Sequence, residues 1–379
     1  MTTAFETLGR KLRLGVIGGG TGSFIGPIHR AAALLDRRFD IVAGVLSSDP
    51  SRGRIAAAEL GFASYPDVPA MLAAANLDAV AIMTPNDRHF AECMAALAAG
   101  VDVICDKPLT NSRAESRAIA TAARGHVFCL THAYAGYPMI RQARAMVAAG
   151  AIGDLRAVQV EYLQAGMSAP VEQGALTTKL RWKLDTARSG PSLVLGDIGT
   201  HAHHLACHVT GRKLTRLAAD LGAIVPGRAV DDYGAFLLRL QGGLRGTLLA
   251  SQALAGTEND ITLRVFGALG HIAWTHRHNN HLTLALNGRP VQRLARGDAD
   301  LLPAAARVIR IARGHPEGLT EAFANLYRDA AEAIAARITG HEADPLALDF
   351  PTAEDGEAGQ AFVEAALASR RHGGGWVDV

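Results

Sequence analysis

The sequence predicts an α/β protein with a parallel sheet in its first third and a largely antiparallel sheet in its second part. Three observations support this prediction. Apolar runs alternate with helical patterns up to about residue 132, longer strand-like segments follow, and a glycine-rich loop lies directly after the first apolar run. Strand–helix alternation implies crossover connections and a parallel sheet that is covered on both faces.

The predicted elements of the first part are short and evenly spaced. Apolar runs predict strands at residues 12–17, 41–46, 79–83, 101–105 and 127–131. Helical patterns between them cover residues 27–35, 52–60 and about 88–99, and the last of these ends at Gly100 as a C-terminal cap. A further helix is predicted to begin at Ser112, because Glu115 follows at the spacing of a capping box.

The pattern changes after about Tyr134. A helix is predicted at residues 138–149, followed by longer strands at 157–163, 233–240, 244–252, 261–266 and 271–274. Glycine-containing turns separate several of these strands, which favours antiparallel pairing. Two helices at about 320–338 and 352–369 complete the chain. We therefore predict two domains, residues 1–132 and residues 133–379, with no flexible linker between them.

Composition excludes several classes of protein. The 38 basic and 36 acidic residues leave a net charge of +2, which gives no electrostatic case for nucleic acid or an anionic membrane as a partner. No apolar stretch reaches the length of about 18 residues that a membrane span needs, and the N-terminus lacks a signal-peptide pattern. Cys93, Cys105, Cys129 and Cys207 form no Cys-x-x-Cys pair, so we expect buried thiols in a reducing cytoplasm.

The glycine-rich loop lies between the first strand and the first helix. It reads Gly15-Val16-Ile17-Gly18-Gly19-Gly20-Thr21-Gly22-Ser23-Phe24-Ile25-Gly26. Glycine lets backbone amides approach a pyrophosphate closely, and a helix N-terminus favours its negative charge. Gly18 and Gly20 match the first two glycines of a dinucleotide-binding loop, whereas Gly26 matches the third only if three residues are inserted. We interpret Thr21-Gly22-Ser23 as an enlargement of that loop.

The tip of the second strand bears on the choice between NAD and NADP. An acidic residue at this position would accept hydrogen bonds from the ribose hydroxyls of NAD. The tip carries Ser47 and Ser48, with Asp49 just beyond them and Arg52 close behind. Ser47 and Arg52 could equally hold the 2′-phosphate of NADP, so the sequence leaves both cofactors open, with NAD as our first choice.

A lysine follows the fourth predicted strand, in Cys105-Asp106-Lys107-Pro108. Ligands of open α/β sheets bind at the carboxyl edge, where this segment lies. An ammonium beside a nicotinamide can hold a substrate hydroxyl and stabilise developing negative charge. Lys107 is therefore a candidate for a chemical role, and a surface turn is the alternative.

A carboxylate and a histidine stand four residues apart in Gly196-Asp197-Ile198-Gly199-Thr200-His201. If this run opens a helix, both side chains lie on one face. A carboxylate beside an imidazole can fix the tautomer of the histidine and tune it for proton transfer. His203, His204 and His208 follow, but the pattern lacks the glutamate of a helical zinc motif, so we predict no metal and assign these histidines to packing or subunit contacts.

These motifs occur in one order that resembles a known family. The glycine loop with His29, Thr84-Pro85-Asn86 with His89, Asp106-Lys107-Pro108 and the Asp197/His201 run are together similar to the glucose–fructose oxidoreductase/inositol dehydrogenase (Gfo/Idh/MocA) family. The resemblance implies an N-terminal Rossmann domain, an α/β domain with an open sheet, and oxidation of a sugar or cyclitol hydroxyl or its reversal. The enlarged loop, Trp182-Lys183 and His315-Pro316-Glu317-Gly318 resemble a branch that includes levoglucosan dehydrogenase.

The resemblance assigns roles to residues of this chain. Lys107, Asp197 and His201 would be catalytic, and the same three with Trp182 and Lys183 would contact the substrate. The expected cofactor contacts are Gly18, Gly20, Thr21, Gly22, Ser23, Phe24, Ile25, Ser47, Ser48, Arg52, Thr84, Pro85, Asn86, His89, Asp106 and Lys107. Two departures are Asp106, where the family often has Glu, and the turn Ser189-Gly190-Pro191-Ser192 before the Asp/His run, which leaves the substrate open.

The expected reaction is an NAD-dependent or NADP-dependent oxidation of a secondary hydroxyl in a sugar, pyranoside or inositol. His201, oriented by Asp197, is our first choice for the base, and Lys107 would hold the same oxygen; the alternative gives the proton to Lys107. The rival reading is a non-catalytic dinucleotide-binding sensor. We expect a homodimer or homotetramer, because the second part offers a broad sheet surface.

Overall fold

The computed structural model describes residues 2–174 and 177–379. These residues divide into two compact units, one formed by Met1–Gly136 with Gly318–Glu357 and the other by Tyr137–Glu317 with Ala358–Val379. The sequence division at residue 132 lies close to the first change of unit but does not include the return of residues 318–357 to the first unit.

Most strands follow the predicted runs. They are β1 (Leu12–Gly18), β2 (Phe39–Val45), β3 (Ala63–Ser64), β4 (Ala79–Met83), β5 (Asp102–Cys105), β6 (Phe128–Leu130), β7 (Leu155–Leu163), β8 (Leu214–Gly222), β9 (Tyr233–Leu240), β10 (Arg245–Ser251), β11 (Asp260–Gly267), β12 (Gly270–Thr275), β13 (His281–Leu286), β14 (Gln292–Ala295) and β15 (Val377–Asp378).

The α-helices include every one that the sequence predicts. They are α1 (Ala4–Leu8), α2 (Ile25–Leu35), α3 (Pro50–Leu60), α4 (Val68–Ala74), α5 (Asn86–Ala98), α6 (Arg113–Ala122), α7 (Pro138–Ala148), α8 (Thr178–Leu184), α9 (Thr186–Ser189), α10 (Thr200–Thr210), α11 (Pro303–Ala306), α12 (Leu319–Thr339) and α13 (Ala353–Arg371). A π-helical turn at Leu195–Gly199 leads directly into α10. Short 3-10 helices occupy Ala133–Gly136, Val171–Gln173, Gln241–Gly243, His276–His278 and Pro345–Ala347.

The first unit is built on a parallel sheet. Within its described residues the strand order is β3-β2-β1-β4-β5-β6, and every neighbouring pair is parallel. Alternate residues of β4 belong to different cores, Ala79, Ala81 and Met83 to one and Val80 and Ile82 to the other. Both faces are therefore covered, which explains why these strands read as unbroken apolar runs.

The returning helix α12 covers part of one face of this sheet. Its buried Phe323, Leu326 and Tyr327 belong to the same core as Leu12 and Leu14 of β1. The helix packs against α2 and against the 3-10 turn at Ala133–Gly136, where Asn325 donates a 2.8 Å hydrogen bond to the Gly136 carbonyl. The core of the first unit is thus completed by residues that come almost two hundred positions later in the chain.

The second unit is built on an open mixed sheet. The described strands are ordered β14-β13-β12-β11-β7-β10-β9-β8-β15, with β7 and β10 parallel and the other neighbours antiparallel. Buried residues alternate with residues that are mostly half-buried along β7, β9 and β11. Helices α7 and α10 pack against this sheet. Because all neighbouring pairs but one are antiparallel in the described residues, the largely antiparallel sheet predicted from the sequence is confirmed.

In the described part of the chain, no helix combines the length and the apolar character needed to cross a bilayer.

Candidate functional site

The glycine loop requires glycine at several positions. Gly18, Gly19 and Gly22 have φ angles of +78°, +69° and +83°, in the left-handed region that side chains rarely adopt. A Cβ at Gly20 would lie 2.3 Å from the Leu46 carbonyl oxygen, and one at Gly26 would lie 2.1 Å from the Gly19 carbonyl oxygen. Gly26 therefore allows α2 to pack closely on the loop, as the third glycine of a dinucleotide-binding loop does.

The inserted residues form a turn before α2. The Ser23 amide donates to the Gly20 carbonyl at 3.1 Å, and the Ser23 hydroxyl accepts from the Gly26 amide at 3.1 Å. Arg30 of α2 donates to the Gly19 carbonyl at 2.6 Å, a contact that the sequence did not predict. The helix N-terminus thus retains amide groups for an anion, because the Ser23 hydroxyl satisfies only one of them.

Asp49 caps the helix that follows the second strand. Its Oδ1 accepts hydrogen bonds from the amides of Ser51 at 2.8 Å and Arg52 at 3.4 Å. The Ser47 hydroxyl accepts from the Asp49 amide at 3.1 Å, and the Arg52 side chain is exposed. The strand tip therefore carries a fixed carboxylate, with a guanidinium nearby that is not tied to it by a side-chain ion pair in the described residues.

The segment Thr84-Pro85-Asn86 connects β4 to α5. The Thr84 hydroxyl donates to Glu92 Oε2 at 2.5 Å. Asn86 is the first residue of α5 and is 8% exposed. His89 is buried, and its Nδ1 and Nε2 lie 3.0 and 2.9 Å from the carbonyl oxygens of Pro108 and Thr84. Both ring nitrogens therefore contact backbone carbonyls and brace two turns, and the predicted contact of His89 with the cofactor stays a prediction.

Asp106 and Lys107 follow β5 directly. Asp106 Oδ1 accepts from the Lys107 amide at 2.9 Å and from the Thr131 hydroxyl at 3.1 Å, and the Lys107–Pro108 bond is cis. This carboxylate thus contacts its own turn and Thr131, and its predicted contact with the cofactor stays a prediction. The side chain thereby fixes the backbone of Lys107.

A buried histidine and tyrosine lie behind this turn. His29 Nδ1 is 2.8 Å from the Tyr327 hydroxyl, and His29 Nε2 is 3.9 Å from Asp106 Oδ1. Burial alone would raise the pKa of Asp106, but His29 and Lys107 lower it to about 2. No sequence pattern indicated Tyr327, because this residue stands 298 positions after His29.

These parts of the first unit share one edge of its sheet. Gly18 ends β1, Thr84 follows β4 and Asp106 follows β5, so all three lie at the carboxyl ends of adjacent parallel strands. Nucleotides bind at this edge in open α/β sheets. The glycine loop, Asn86 and Lys107 thus follow neighbouring strands at one edge of the sheet, and their contact with a cofactor stays a prediction.

The Asp197/His201 run adopts a less regular helix than expected. Asp197 lies in the π-helical turn and His201 in the first turn of α10. The Thr200 amide donates to the Leu195 carbonyl, five residues back, while the Thr200 hydroxyl lies 3.4 Å from the Gly196 carbonyl that the wider turn releases. Single π turns inside helices frequently occur at functional sites.

Asp197 is held by two side chains of the second unit. Its Oδ2 accepts hydrogen bonds from Lys183 Nζ and, at 2.6 Å, from Gln252 Nε2. Lys183 was expected to contact a substrate; in the structure its ammonium faces a carboxylate. The Tyr162 ring lies 6.1 Å from the His201 ring. Gln252 and Tyr162 were missed by sequence reasoning, since neither belongs to a motif.

The other histidines of α10 are packing residues. His203 stacks on Phe362 with ring centroids 4.9 Å apart, and His204 stacks on His208 at 5.2 Å. Burial, the largest effect, and the charge of His204 lower the pKa of His208 well below its usual value, so this ring is neutral near pH 7. Among the residues that the structure describes, no group of three or more His, Cys, Asp or Glu side chains is arranged to hold a metal.

Comparison with known proteins matches both units to one family. Residues 12–134 match a family of oxidoreductases with an NAD-binding Rossmann fold, and residues 140–273 match the GFO/IDH/MocA C-terminal domain. An uncharacterized oxidoreductase of Bacillus subtilis, YfiI, is 34% identical over 100% of this chain and 99% of its own length. Levoglucosan dehydrogenase of Pseudarthrobacter phenanthrenivorans is 28% identical over 73% of this chain and 76% of its own.

Solved structures show the same relationship. An inositol dehydrogenase homolog from Azotobacter vinelandii in complex with NAD⁺ is 37% identical, covers 98% of both chains and superposes with a TM-score of 0.91. The complex of an inositol dehydrogenase homolog from the same organism with NADH and myo-inositol is 36% identical, covers 98% of both chains and has a TM-score of 0.88.

Proposed function

Because the chain belongs to the Gfo/Idh/MocA family of NAD-binding oxidoreductases, we propose that it transfers a hydride between NAD and a secondary hydroxyl of a sugar, pyranoside or inositol. The observation that carries the proposal is that one chain combines a nucleotide-binding fold with groups for proton transfer: Lys107 at the nucleotide edge of the first unit and the Asp197/His201 run on a helix of the second unit. A non-catalytic sensor would have no use for these groups, and the relatives give that reading no support.

The residues of the glycine loop fit a dinucleotide. The close approach of Gly20 to Leu46 and of Gly26 to Gly19 leaves no room for side chains, and Gly22 faces open space. The amides at the start of α2, with Thr21 to Ile25, would hold the pyrophosphate. Thr84, Pro85 and Asn86 would hold the nicotinamide ribose. Bound NAD⁺ would supply the hydride acceptor.

The remaining groups would manage the substrate hydroxyl. Lys107 would donate a hydrogen bond to the hydroxyl oxygen and stabilise the negative charge that develops there. His201, oriented by Asp197, would accept the hydroxyl proton as the C–H bond gives up its hydride. Asp106 would hold Lys107 in place, since it fixes the backbone of that turn.

A panel of substrates tests this proposal. Purified protein is incubated with NAD⁺ and a set of pyranosides, inositols and simple aliphatic alcohols, and the absorbance of reduced nicotinamide is followed. We expect turnover with at least one polyol and none with the simple alcohols. His278→Ala, an exposed histidine of the same unit, serves as a matched control and keeps full activity, whereas His201→Ala does not. Failure of the whole panel in both reaction directions would contradict the proposal.

We further propose that NAD is preferred over NADP. The carboxylate of Asp49 is fixed at the tip of β2, where a 2′-phosphate would meet like charge. Asp49→Asn keeps the helix cap, because asparagine caps as well as aspartate, but removes the charge. We expect the variant to raise kcat/KM for NADP⁺ several-fold relative to that for NAD⁺. An unchanged ratio would show that Asp49 does not select the cofactor.

We also propose a cytoplasmic homodimer or homotetramer. The four cysteines carry thiols rather than disulfides, as expected of a reducing compartment. Leu237 on the outer face of the second sheet is 52% exposed, which suits contact with a second copy. Light scattering coupled to size-exclusion chromatography measures the subunit number, and a monomer at micromolar concentration would contradict the oligomer.

A further inference from the structure

The carboxylate of Asp197 accepts hydrogen bonds from two side chains that have no role in the proposed reaction. We propose that Lys183 and Gln252 are positioning residues. They hold Asp197 in the orientation in which it orients His201, so that Lys183 binds this carboxylate rather than the substrate. This inference rests on the proposed function, because it concerns what surrounds the group that orients the base.

Lys183 reaches Asp197 from a segment that is itself held in place. The residue lies in the last turn of α8, and its ammonium pairs with Asp197 Oδ2 while the two side chains are 16% and 28% exposed. The Lys183 carbonyl accepts a 3.0 Å hydrogen bond from the Ser189 hydroxyl. An ammonium in a partly buried pair favours the ionised carboxylate and restricts its rotation.

Gln252 is fixed more tightly than Lys183. It follows β10, its amide donates to the Asp232 carbonyl at 3.0 Å, and its carbonyl accepts from the Met167 amide at 2.8 Å. The residue is 1% exposed. Its side-chain Nε2 lies 2.6 Å from Asp197 Oδ2 and 3.1 Å from Gln164 Oε1. An amide nitrogen has two hydrogens, and these two acceptors use both.

The neighbouring side chains set the direction of this amide. Gln164 Nε2 donates to Asn259 Oδ1 at 2.6 Å, and the Tyr162 hydroxyl donates to the same oxygen at 2.8 Å. Gln164 therefore turns its own oxygen toward Gln252. Rotating the Gln252 amide by half a turn would place its oxygen against this oxygen and against the carboxylate, so the network presents a donor to Asp197.

The cost of this arrangement is visible at the other end of the amide. Gln252 Oε1 is buried and has no hydrogen-bond partner among the residues that the structure describes. A buried acceptor without a partner is unfavourable and calls for an explanation. The donor that the same amide gives to Asp197 provides one.

Two donors on one oxygen have a chemical consequence for the proton. They occupy Asp197 Oδ2 with hydrogen bonds, so this oxygen does not compete with His201 for a proton taken from the substrate. They also hold Asp197 in one orientation in the π-helical turn that precedes His201. A loss of either donor should therefore slow the chemical step more than it weakens substrate binding.

Steady-state kinetics of matched variants test the proposal. We expect Lys183→Met and Gln252→Met to lower kcat on the order of tenfold with KM changed by less than about twofold. Lys183→Arg should retain most of the activity, and Lys213→Met, an exposed lysine of the same unit, should retain all of it. A raised KM with unchanged kcat in Lys183→Met would show that Lys183 binds substrate, and would overturn the proposal.

Double-mutant cycles with Asp197→Asn test whether Lys183 and Gln252 act through Asp197. In that background neither Met substitution should lower kcat by more than about twofold further, because each acts through Asp197. Undiminished losses there would overturn the proposal. The melting temperature, measured without substrate, gives a second cycle. The shifts caused by Lys183→Met and by Asp197→Asn should not add up in the doubly substituted variant. Additive shifts would overturn the pairing itself, whereas coupled shifts in a protein that oxidises no polyol would overturn the proposed function and the role in proton transfer.

Discussion

Individual charged groups at the nucleotide edge are controlled by their immediate neighbours. Asp106 illustrates this: burial opposes its charge, yet His29 and Lys107 bring its pKa to about 2, and the Lys107 amide and Thr131 hydroxyl bind its Oδ1. The side chain is 17% exposed, so water screens these interactions only in part. The motif Asp106-Lys107-Pro108 could be recognised from the sequence, but the partners His29 and Tyr327 could not be assigned, because they meet only in the folded chain.

Asp106→Asn is predicted to lower stability with a defined pH dependence. Because the folded-state pKa of Asp106 is below its ordinary value of 3.8, its stabilisation is present above that value and is lost as the pH falls toward about 2. We expect the variant to be less stable by on the order of 1–2 kcal/mol at pH 7. Urea unfolding at a series of pH values measures both effects.

The matched variant for this prediction is Asp36→Asn, which replaces a carboxylate at the C-terminal end of α2. The stability of this control and of the wild type should fall in parallel as the medium is acidified through the window from 3.8 to about 2. Asp106→Asn should fall less steeply there. If stability falls with pH equally steeply in Asp106→Asn and the wild type, Asp106 does not contribute the predicted pH-dependent stability.

Whole elements were predicted more reliably than their irregularities. Each element predicted from periodicity is present with its ends within two residues, and the Ser112 hydroxyl caps α6 by accepting from the Glu115 amide at 3.3 Å. The predicted enlargement of the glycine loop is a turn closed by Ser23. The π turn at Leu195–Gly199 was not predicted, because one wider turn leaves the four-residue spacing of Asp197 and His201 unchanged in the sequence.

The close approach of α2 to the glycine loop predicts that a side chain at Gly26 weakens NADH binding. Gly26→Ala places a Cβ 2.1 Å from a backbone oxygen, so the loop and α2 must separate. Gly22→Ala meets no atom within 4 Å and carries only the strain of its φ of +83°. We expect Gly26→Ala to weaken NADH binding by on the order of tenfold or more, and Gly22→Ala to weaken it less. Titration of NADH fluorescence measures both; equal affinities would contradict the close approach.

At the scale of the whole molecule, the sequence predicted two sheets and their order, but not how the chain is divided between the two units. The pattern change near residue 132 is real, since α7 and β7 belong to the second unit. The return of residues 318–357 could not be predicted, because an amphipathic helix such as α12 shows which face is apolar and not which sheet it covers. Gln252 was absent from the predicted site because it belongs to no motif and meets Asp197 only in the folded chain.

The division into units predicts how a fragment behaves. Residues 1–132 alone lack α12, so the face of the first sheet that carries Leu12 and Leu14 loses part of its cover. We expect this fragment to unfold without a cooperative transition and to bind NADH poorly, because the uncovered part of this face exposes a large apolar surface. Circular dichroism melts and NADH titration check this. A cooperative melt with normal NADH binding would show that α12 is dispensable.

We propose that this chain oxidises a polyol with NAD and passes the hydroxyl proton to His201, and the decisive measurement is the single-turnover rate of NADH formation in His201→Ala with and without added imidazole. We expect a loss on the order of 10² to 10⁴ in rate, unchanged NADH affinity, and partial recovery with imidazole. A rate within about twofold of the wild type, or a loss that only Lys107→Ala shows and that added amines recover, would contradict the claim.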